Sequence, residues 1–183
     1  MTRIKRIFKD LFHDHDSGVF RQIPLNTPGK LYTSPMPFGA YDYGSRLLKI
    51  YKKNKIEHVL MLVTDTELEN KARRDLLKLY VKNGISYSRY EIKDLQAPSL
   101  EIINSLVQDA VKRLQTQRLI IHCHAGVGRT SLAVCSIVIA VKHLNAEEAI
   151  EYVSKSMAIN ITSEQKNLIQ NGTGNNPHIT IIA

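Results

Sequence analysis

The chain has 183 residues, 43% of them hydrophobic and 23% charged, a balance that excludes a wholly disordered or fibrous protein. The 25 Lys and Arg outnumber the 17 Asp and Glu, and the formal net charge of +8 favours an anionic partner without specifying its class. Two cysteines exclude a disulfide framework and a four-cysteine zinc site. We expect a single cytoplasmic domain, because neither a secretory signal nor a long apolar run is present.

The chain begins with a basic amphipathic segment, residues 1–18, in which a helix is predicted at 3–12. Its apolar residues recur at helical spacing, with basic residues between them: Ile4, Ile7, Phe8, Leu11 and Phe12 against Arg3, Lys5, Arg6 and Lys9. This pattern favours contact with an anionic membrane or packing on the domain. The globular domain is predicted at 19–172, and the tail 173–183 has no informative pattern.

From residue 19 onward, predicted strands alternate with predicted helices. Strands are predicted at 19–23, 30–33, 56–63, 85–92 and 118–122, and helices at 43–53, 67–82, 100–115, 130–144, 146–156 and 163–170. The strand 118–122 has an apolar centre, typical of a central strand covered on both faces. This order predicts an α/β single domain with a mainly parallel central sheet flanked by helices on both faces.

The most informative segment follows that central strand and contains a Cys-X5-Arg spacing, from Cys123 to Arg129. The residues between them are His124, Ala125, Gly126, Val127 and Gly128. Such a loop can curl so that its N–H groups point to one centre at the start of a helix, where they bind a tetrahedral oxyanion. The planar guanidinium group of Arg129 can bind two phosphate oxygens at once. The N–H groups and the helix dipole also favour a thiolate at Cys123.

The segment from His122 to Thr130 resembles the signature of cysteine-dependent protein tyrosine phosphatases, His-Cys-X2-Gly-X2-Arg-Ser/Thr, at every fixed position. The compact length is similar to the dual-specificity branch, including its atypical and cyclin-dependent-kinase-inhibitor-associated types. The resemblance implies a protein tyrosine phosphatase-like fold, a Cys123 nucleophile, and an Arg129 that binds phosphate and stabilises the transition state. It also implies a Thr130 hydroxyl bonded to the thiolate and a His122 that supports the loop through hydrogen bonds. Neither a metal nor an organic cofactor is expected.

Phosphatases of this family carry an acidic residue on a loop upstream of the nucleophile, and residues 90–99 resemble that loop. The resemblance assigns to Asp94 the general acid that protonates the leaving oxygen and the general base that then activates water. Glu91, Asp65 and Glu67 are the alternative acids. Gln165 lies where related enzymes often carry a glutamine that positions the water, and a helix-surface glutamine is the equal alternative.

The predicted function is hydrolysis of phosphate monoesters on proteins through a cysteinyl-phosphate intermediate, with phosphotyrosine, phosphoserine and phosphothreonine as candidate substrates. The alternative is a phosphoinositide or inositol-phosphate phosphatase at a membrane surface. Residues 3–12 favour that alternative, whereas the absence of lysine at 124–128 disfavours it unless His124 is cationic. A non-catalytic phosphate-binding module is less expected, because the nucleophile, the arginine and the acid are all present. No nucleic-acid partner is expected, and Cys135 is predicted to be a packing residue.

Overall fold

The computed structural model describes residues 19–172 of the chain. The basic segment 1–18, with its predicted helix at 3–12, and the tail 173–183 lie outside the described residues. None of the helices within 19–172 is long and apolar enough to cross a membrane.

The domain is organised around a five-stranded sheet with the spatial order β1-β2-β5-β3-β4. The strands are β1 (Arg21–Ile23), β2 (Lys30–Ser34), β3 (His58–Met61), β4 (Ser86–Arg89) and β5 (Arg118–His122). β1 pairs antiparallel with β2, and the other three neighbouring pairs are parallel. The predicted α/β class with a mainly parallel sheet is therefore confirmed, and β5 is the central strand.

Seven α-helices and one short 3-10 helix, Tyr43–Ser45, surround the sheet in the described part of the chain. The α-helices are α1 (Leu47–Lys53), α2 (Asp65–Lys71), α3 (Leu76–Lys82), α4 (Leu100–Arg113), α5 (Gly128–Lys142), α6 (Ala146–Ser154) and α7 (Ser163–Gly172). The predicted helix at 43–53 thus starts late: Gly44 is left-handed with φ +72°, and the Asp42 carboxylate accepts from the N–H groups of Arg46 and Leu47.

The prediction of one helix at 67–82 is wrong, because two separately capped helices occupy this region. Thr64 and Glu67 form a reciprocal capping box at the start of α2, and the Asp75 side chain accepts from the Lys78 N–H at the start of α3. Between them Ala72 is extended, with φ −88° and ψ 125°. The start of α2 is set by the capping box and lies two residues earlier than predicted, so Glu67 is the third residue of the helix rather than the first.

Two hydrophobic cores lie on opposite faces of the sheet. Along β5, Leu119 and Ile121 belong to the core beneath α4, α5 and α6, whereas Ile120 belongs to the core beneath α1 and α3. Helices therefore cover both faces, as predicted. Cys135 is fully buried in the first core, where burial raises the pKa of its thiol to about 12. These surroundings support the predicted packing role.

Candidate active site

A loop of residues 123–129, which we call the phosphate loop, connects the central strand β5 to the buried helix α5. Cys123 begins it and is only 2% exposed. The N–H of Gly126 donates to the Cys123 sulfur at 3.3 Å, so the loop backbone curls around that atom. The Cys123 N–H donates to the Thr130 hydroxyl at 3.2 Å. The loop thus places a sulfur atom at the base of a backbone nest next to a helix start, as an anion site requires.

At Gly126 in the phosphate loop, both the backbone conformation and the surrounding atoms exclude a side chain. Its φ is +75°, a left-handed conformation that favours glycine. A Cβ placed there would also lie 2.5 Å from the Pro35 nitrogen and 2.6 Å from the Ser34 carbonyl carbon. The loop is held against this β2 end by a further bond, from the Met36 N–H to the His124 carbonyl at 3.1 Å.

His122 supports the phosphate loop from below through two hydrogen bonds. Its Nδ1 lies 3.2 Å from the Cys123 carbonyl, which can only accept, so Nδ1 carries the proton. Its Nε2 therefore accepts from the Tyr80 hydroxyl at 2.9 Å. Burial lowers the pKa of His122 to about 4, which keeps the ring neutral in this pattern at pH 7. These contacts support the predicted structural role.

Arg129 is buried and paired with Glu67, a partnership that the sequence interpretation missed. Its Nη1 and Nη2 donate to the two Glu67 carboxylate oxygens at 2.6 and 2.9 Å, and Nη1 also donates to the Ile92 carbonyl at 2.9 Å. Within the described residues its buried Nε–H has no hydrogen-bond partner. The bidentate pair orients the guanidinium and leaves donor capacity for a phosphate oxygen.

Glu67 is excluded as the acid by this pair. Burial alone would raise the pKa of Glu67, but hydrogen bonds from Arg129 and Lys71 lower it from 4.5 to about 2. Both Glu67 carboxylate oxygens accept from the guanidinium, and Glu67 does not line the pocket, so it does not face a leaving oxygen. The signal for its position was the Thr64-X-X-Glu67 spacing of a capping box, which places the carboxylate at a helix start.

Among the described residues 19–172, Asp94 is the one acidic residue that lines the pocket of the phosphate loop. Its carboxylate lies 3.2 Å from Nη2 of Arg129 and is 60% exposed. The other two alternatives, Asp65 and Glu91, both pair with Arg89 and do not line the pocket. Asp94 therefore remains the predicted general acid.

The pocket itself has a volume of about 170 Å³, which is below the range of roughly 300–1,000 Å³ usual for drug-sized ligands. It therefore suits a phosphoryl group and the atoms next to it, with the rest of a substrate lying outside. Its lining residues outside the predicted set are Tyr41, Leu95 and Asn160. Tyr41 and Asn160 come from separate loops with no motif, and Leu95 is an ordinary apolar neighbour of Asp94, so none of them carries a sequence signal.

The predicted residues His124, Thr130 and Gln165 are all found at this site. His124 lines the pocket with its ring 5.2 Å from that of Tyr41, edge to face. Burial and the charge of Lys71 lower the pKa of His124 below 6.5, so the cationic state that would have favoured phosphoinositides is disfavoured. The Thr130 hydroxyl contacts the Cys123 N–H, and its bond to the thiolate stays a prediction. Gln165 is 1% exposed and is not a surface residue.

No group of three or more His, Cys, Asp or Glu side chains within residues 19–172 is arranged to hold a metal ion. The chemistry that the described side chains offer is a buried thiol in an anion nest, a fixed guanidinium and an exposed carboxyl group. These are the groups needed for nucleophilic attack on phosphorus, charge stabilisation and proton transfer.

Comparison with protein families finds a match over residues 45–143 to a family model described as "Polymorphic toxin system, DSP-PTPase phosphatase". The chain is 29% identical over 76 residues to protein tyrosine phosphatase domain-containing protein 1 of Danio rerio, a match that covers 42% of this chain and 11% of that protein. It is 27% identical over 135 residues to the phosphatidylinositol 3,4,5-trisphosphate 3-phosphatase and protein-tyrosine-phosphatase PTEN2B of Arabidopsis thaliana, covering 68% of this chain and 21% of that protein. The chain thus spans about a tenth to a fifth of the length of these relatives.

Among solved structures, the chain is similar to kinase associated phosphatase whose catalytic-site cysteine is replaced by serine. The TM-score is 0.73 at 20% sequence identity, and the match covers 83% of this chain and 92% of that one. At this identity the likeness establishes the fold, which agrees with the sheet order and the flanking helices described above.

Proposed function

The chain belongs to the DSP-PTPase phosphatases of polymorphic toxin systems, and we propose that it hydrolyses phosphate monoesters on proteins through a cysteinyl-phosphate intermediate. The family match spans more than half of the chain and includes the nucleophile, the arginine and the acid. Phosphotyrosine is the principal substrate proposed, with phosphoserine and phosphothreonine as further ones. Because the family belongs to toxin systems, the targets we propose are phosphoproteins of an attacked cell.

In the first proposed step, the Cys123 thiolate attacks phosphorus and forms an S–P bond while the P–O bond to the leaving group breaks. The Asp94 carboxyl group donates its proton to the leaving oxygen, so that a neutral alcohol or phenol departs. Arg129 and the backbone N–H groups of the phosphate loop stabilise the charge on the equatorial phosphoryl oxygens. The Glu67 pair supports this role, because it fixes the guanidinium before substrate binds.

In the second proposed step, water attacks the cysteinyl-phosphate and the S–P bond breaks. Asp94, now a carboxylate, accepts a proton from that water, and inorganic phosphate and the Cys123 thiolate are released. The N–H of Gly126, 3.3 Å from the sulfur, stabilises the departing thiolate. The exposure of the Asp94 carboxylate gives water access to it.

The observation that carries the choice of a protein substrate is the charge pairing around the pocket. Arg129 and Lys71 both pair with Glu67, and Arg89 pairs with two carboxylates, one at the start of α2 and one just after β4. A headgroup with several phosphates needs cations beyond the one that binds the scissile phosphate. Among the described residues that line the pocket, Arg129 is the one permanently charged cation, and burial lowers the pKa of His124, which disfavours its cationic form. This arrangement supports a substrate with a single phosphate.

A phosphoinositide is the second candidate, because the Arabidopsis relative has a name that covers both lipid and protein tyrosine phosphatases. The basic segment 3–12 supplies the sequence feature that favours it. Contact of that segment with anionic lipid remains part of this alternative.

The two candidates are separated by measuring kcat/KM on the full chain with a phosphotyrosine peptide, a phosphothreonine peptide and phosphoinositides in vesicles of mixed neutral and anionic lipid. We expect the phosphotyrosine peptide to have the highest kcat/KM. Cys123→Ser, assayed alongside, reports any contaminating phosphatase. A kcat/KM that is highest for the phosphoinositide vesicles would contradict the proposal and favour the second candidate.

A further inference from the structure

The segment that carries Asp94 forms a tight turn with an unfavourable backbone conformation. The Gln96 N–H donates to the Lys93 carbonyl at 3.2 Å, which closes a turn over residues 93–96. Leu95, at the third position of that turn, has φ +62°, a left-handed conformation in which glycine is favoured and leucine is strained. Leu95 is also 71% exposed, so burial of its side chain does not hold it in place. A strained and exposed turn needs a contact from another element to keep it in one conformation.

Gln165, on the first turn of α7, makes that contact. Its Nε2–H donates to the Gln96 carbonyl at 2.9 Å, across 69 positions of the chain. The Gln165 side-chain amide is itself fixed, since its Oε1 accepts from the Thr162 backbone N–H at 3.1 Å. The Gln165 backbone is held as well, because its N–H donates to the Thr162 hydroxyl at 3.2 Å. Gln165 is therefore a buried, immobilised donor aimed at the turn that follows Asp94.

We propose that Gln165 is a positioning residue for the general acid: by holding the Gln96 carbonyl, it keeps the 93–96 turn in the conformation that places Asp94 beside Arg129 at the pocket. This inference rests on the proposed function, in which Asp94 protonates the leaving group. It differs from the expectation that Gln165 positions the attacking water, and it is argued from the hydrogen bonds that hold the Gln165 amide between Thr162 and Gln96.

The two roles of Gln165 act on different chemical steps. Holding Asp94 in place affects protonation of the leaving oxygen. Loss of this role of Gln165 should therefore reduce the rate most for a substrate with a poor leaving group. Positioning water affects only hydrolysis of the cysteinyl-phosphate, so its loss leaves the first step unchanged and makes the intermediate accumulate. The ratio kcat/KM reports the steps up to the first irreversible one, whereas an initial burst of the released phenol reports accumulation.

The test uses the full chain with Gln165→Glu, which retains an acceptor for the Thr162 N–H and removes the donor to the Gln96 carbonyl. Gln165→Met removes both the acceptor and the donor and adds no charge. An effect that the two variants share is therefore caused by the loss of the donor. Gln170→Glu is the matched control, because it makes the same charge change at an exposed position on the same helix. Thermal unfolding of each variant reports its folding.

We expect both Gln165 variants to lower kcat/KM about tenfold or more for a phenyl phosphate with a poor leaving group, and to change it less than about threefold for p-nitrophenyl phosphate. In an Asp94→Ala background, the same substitutions should have no further selective effect. Gln170→Glu should match the unaltered chain with both substrates.

Two results would overturn the inference: equal loss with both leaving groups, or a burst of phenol with unchanged kcat/KM. If instead Asp94→Ala alone leaves the leaving-group dependence unchanged, the acid assignment fails, and the proposed function fails only if Cys123→Ser stays active. If neither Gln165 variant folds, Thr162→Val is the substitute, because it removes the hydroxyl that accepts from the Gln165 backbone N–H and so loosens the helix start that carries Gln165. It should show the same selectivity in weaker form, and equal loss with both substrates would again contradict the inference.

Discussion

The phosphate loop and the acid loop, residues 93–98, meet at one pocket but are stabilised in different ways. The sequence signal of the phosphate loop lies in consecutive residues: a buried strand before it, a helix after it, and a glycine at φ +75° between them, although distant Glu67 fixes its Arg129. The acid loop contains a strained leucine and depends on Arg129 and Gln165, which lie 35 and 71 positions beyond Asp94. The nucleophile can therefore be identified from adjacent residues in the sequence. The acid depends on contacts with distant residues, so we expect substitutions at those residues to affect it.

The largest effect is expected at the nucleophile. Cys123→Ser should reduce turnover below detection, because a serine hydroxyl is not ionised at neutral pH and the replacement is nearly isosteric. Binding of a phosphotyrosine peptide, measured by calorimetry, should persist, since Arg129 and the loop N–H groups are untouched. Significant turnover by the variant would refute the assignment of the phosphate loop as the catalytic centre.

The next effect tests the acid loop. Asp94→Ala should lower kcat/KM by roughly 10²–10⁴-fold for a substrate with a poor leaving group, because no proton donor then faces the leaving oxygen. Glu91→Gln, which removes a neighbouring carboxylate outside the pocket, is the control and should keep nearly full activity. A larger loss of kcat/KM for Glu91→Gln than for Asp94→Ala would assign the acid role to Glu91.

A third prediction concerns the backbone of the phosphate loop. Gly126→Ala should lower activity by roughly 10²–10³-fold, because its Cβ would collide with the Ser34–Pro35 backbone and displace an N–H from the anion nest. Gly84→Ala is a matched control: Gly84 has φ +70°, but an added Cβ meets no atom within 4 Å. It should lose only about 1 kcal/mol of stability and no activity. Equal activity losses for the two variants would show that backbone strain alone matters.

The same contrast explains what could be predicted from the sequence. Periodicity identified β5 and its parallel neighbours, since a central strand is apolar on both faces. The Cys123 to Arg129 spacing identified the phosphate loop, because the chemistry lies in adjacent residues. The single helix predicted at 67–82 missed the break at Ala72 and the Thr64–Glu67 capping box that starts α2 at Asp65.

The contacts of Glu67 and Gln165 could not be predicted for a further reason. Each pairs with a residue more than 60 positions away, and hydrogen bonds at that separation depend on how the elements pack. The sequence interpretation therefore considered Glu67 as an acid and Gln165 as a water-positioning residue. In the fold, one fixes Arg129 and the other contacts the acid loop.

The smallest effect is expected at Glu67, whose partner Arg129 contacts both loops. Glu67→Gln should lower kcat/KM by about 10- to 10²-fold, because a carboxamide places an NH2 group against the guanidinium donors and lets Arg129 shift. Both good and poor leaving groups should be affected equally, since phosphate binding rather than proton transfer is disturbed. Glu69→Gln, an exposed position on the same helix, is the matched control and should retain full activity.

The pH dependence of stability provides an independent measure of the same pair. Because the pKa of Glu67 falls from 4.5 to about 2 in the folded chain, its stabilisation is fully present above pH 4.5 and is lost as pH falls through about 2. Chemical unfolding should therefore show Glu67→Gln less stable than the unaltered chain at pH 7, with the difference shrinking between pH 4.5 and 2. A pH-independent difference would mean that Glu67 stabilises the fold by packing, and the activity loss could then not be attributed to a displaced Arg129. For Glu69→Gln, the difference in stability from the unaltered chain should not change in this way between pH 4.5 and 2. Comparing the two variants therefore separates the effect of the Glu67–Arg129 pair from the general effect of removing a carboxylate.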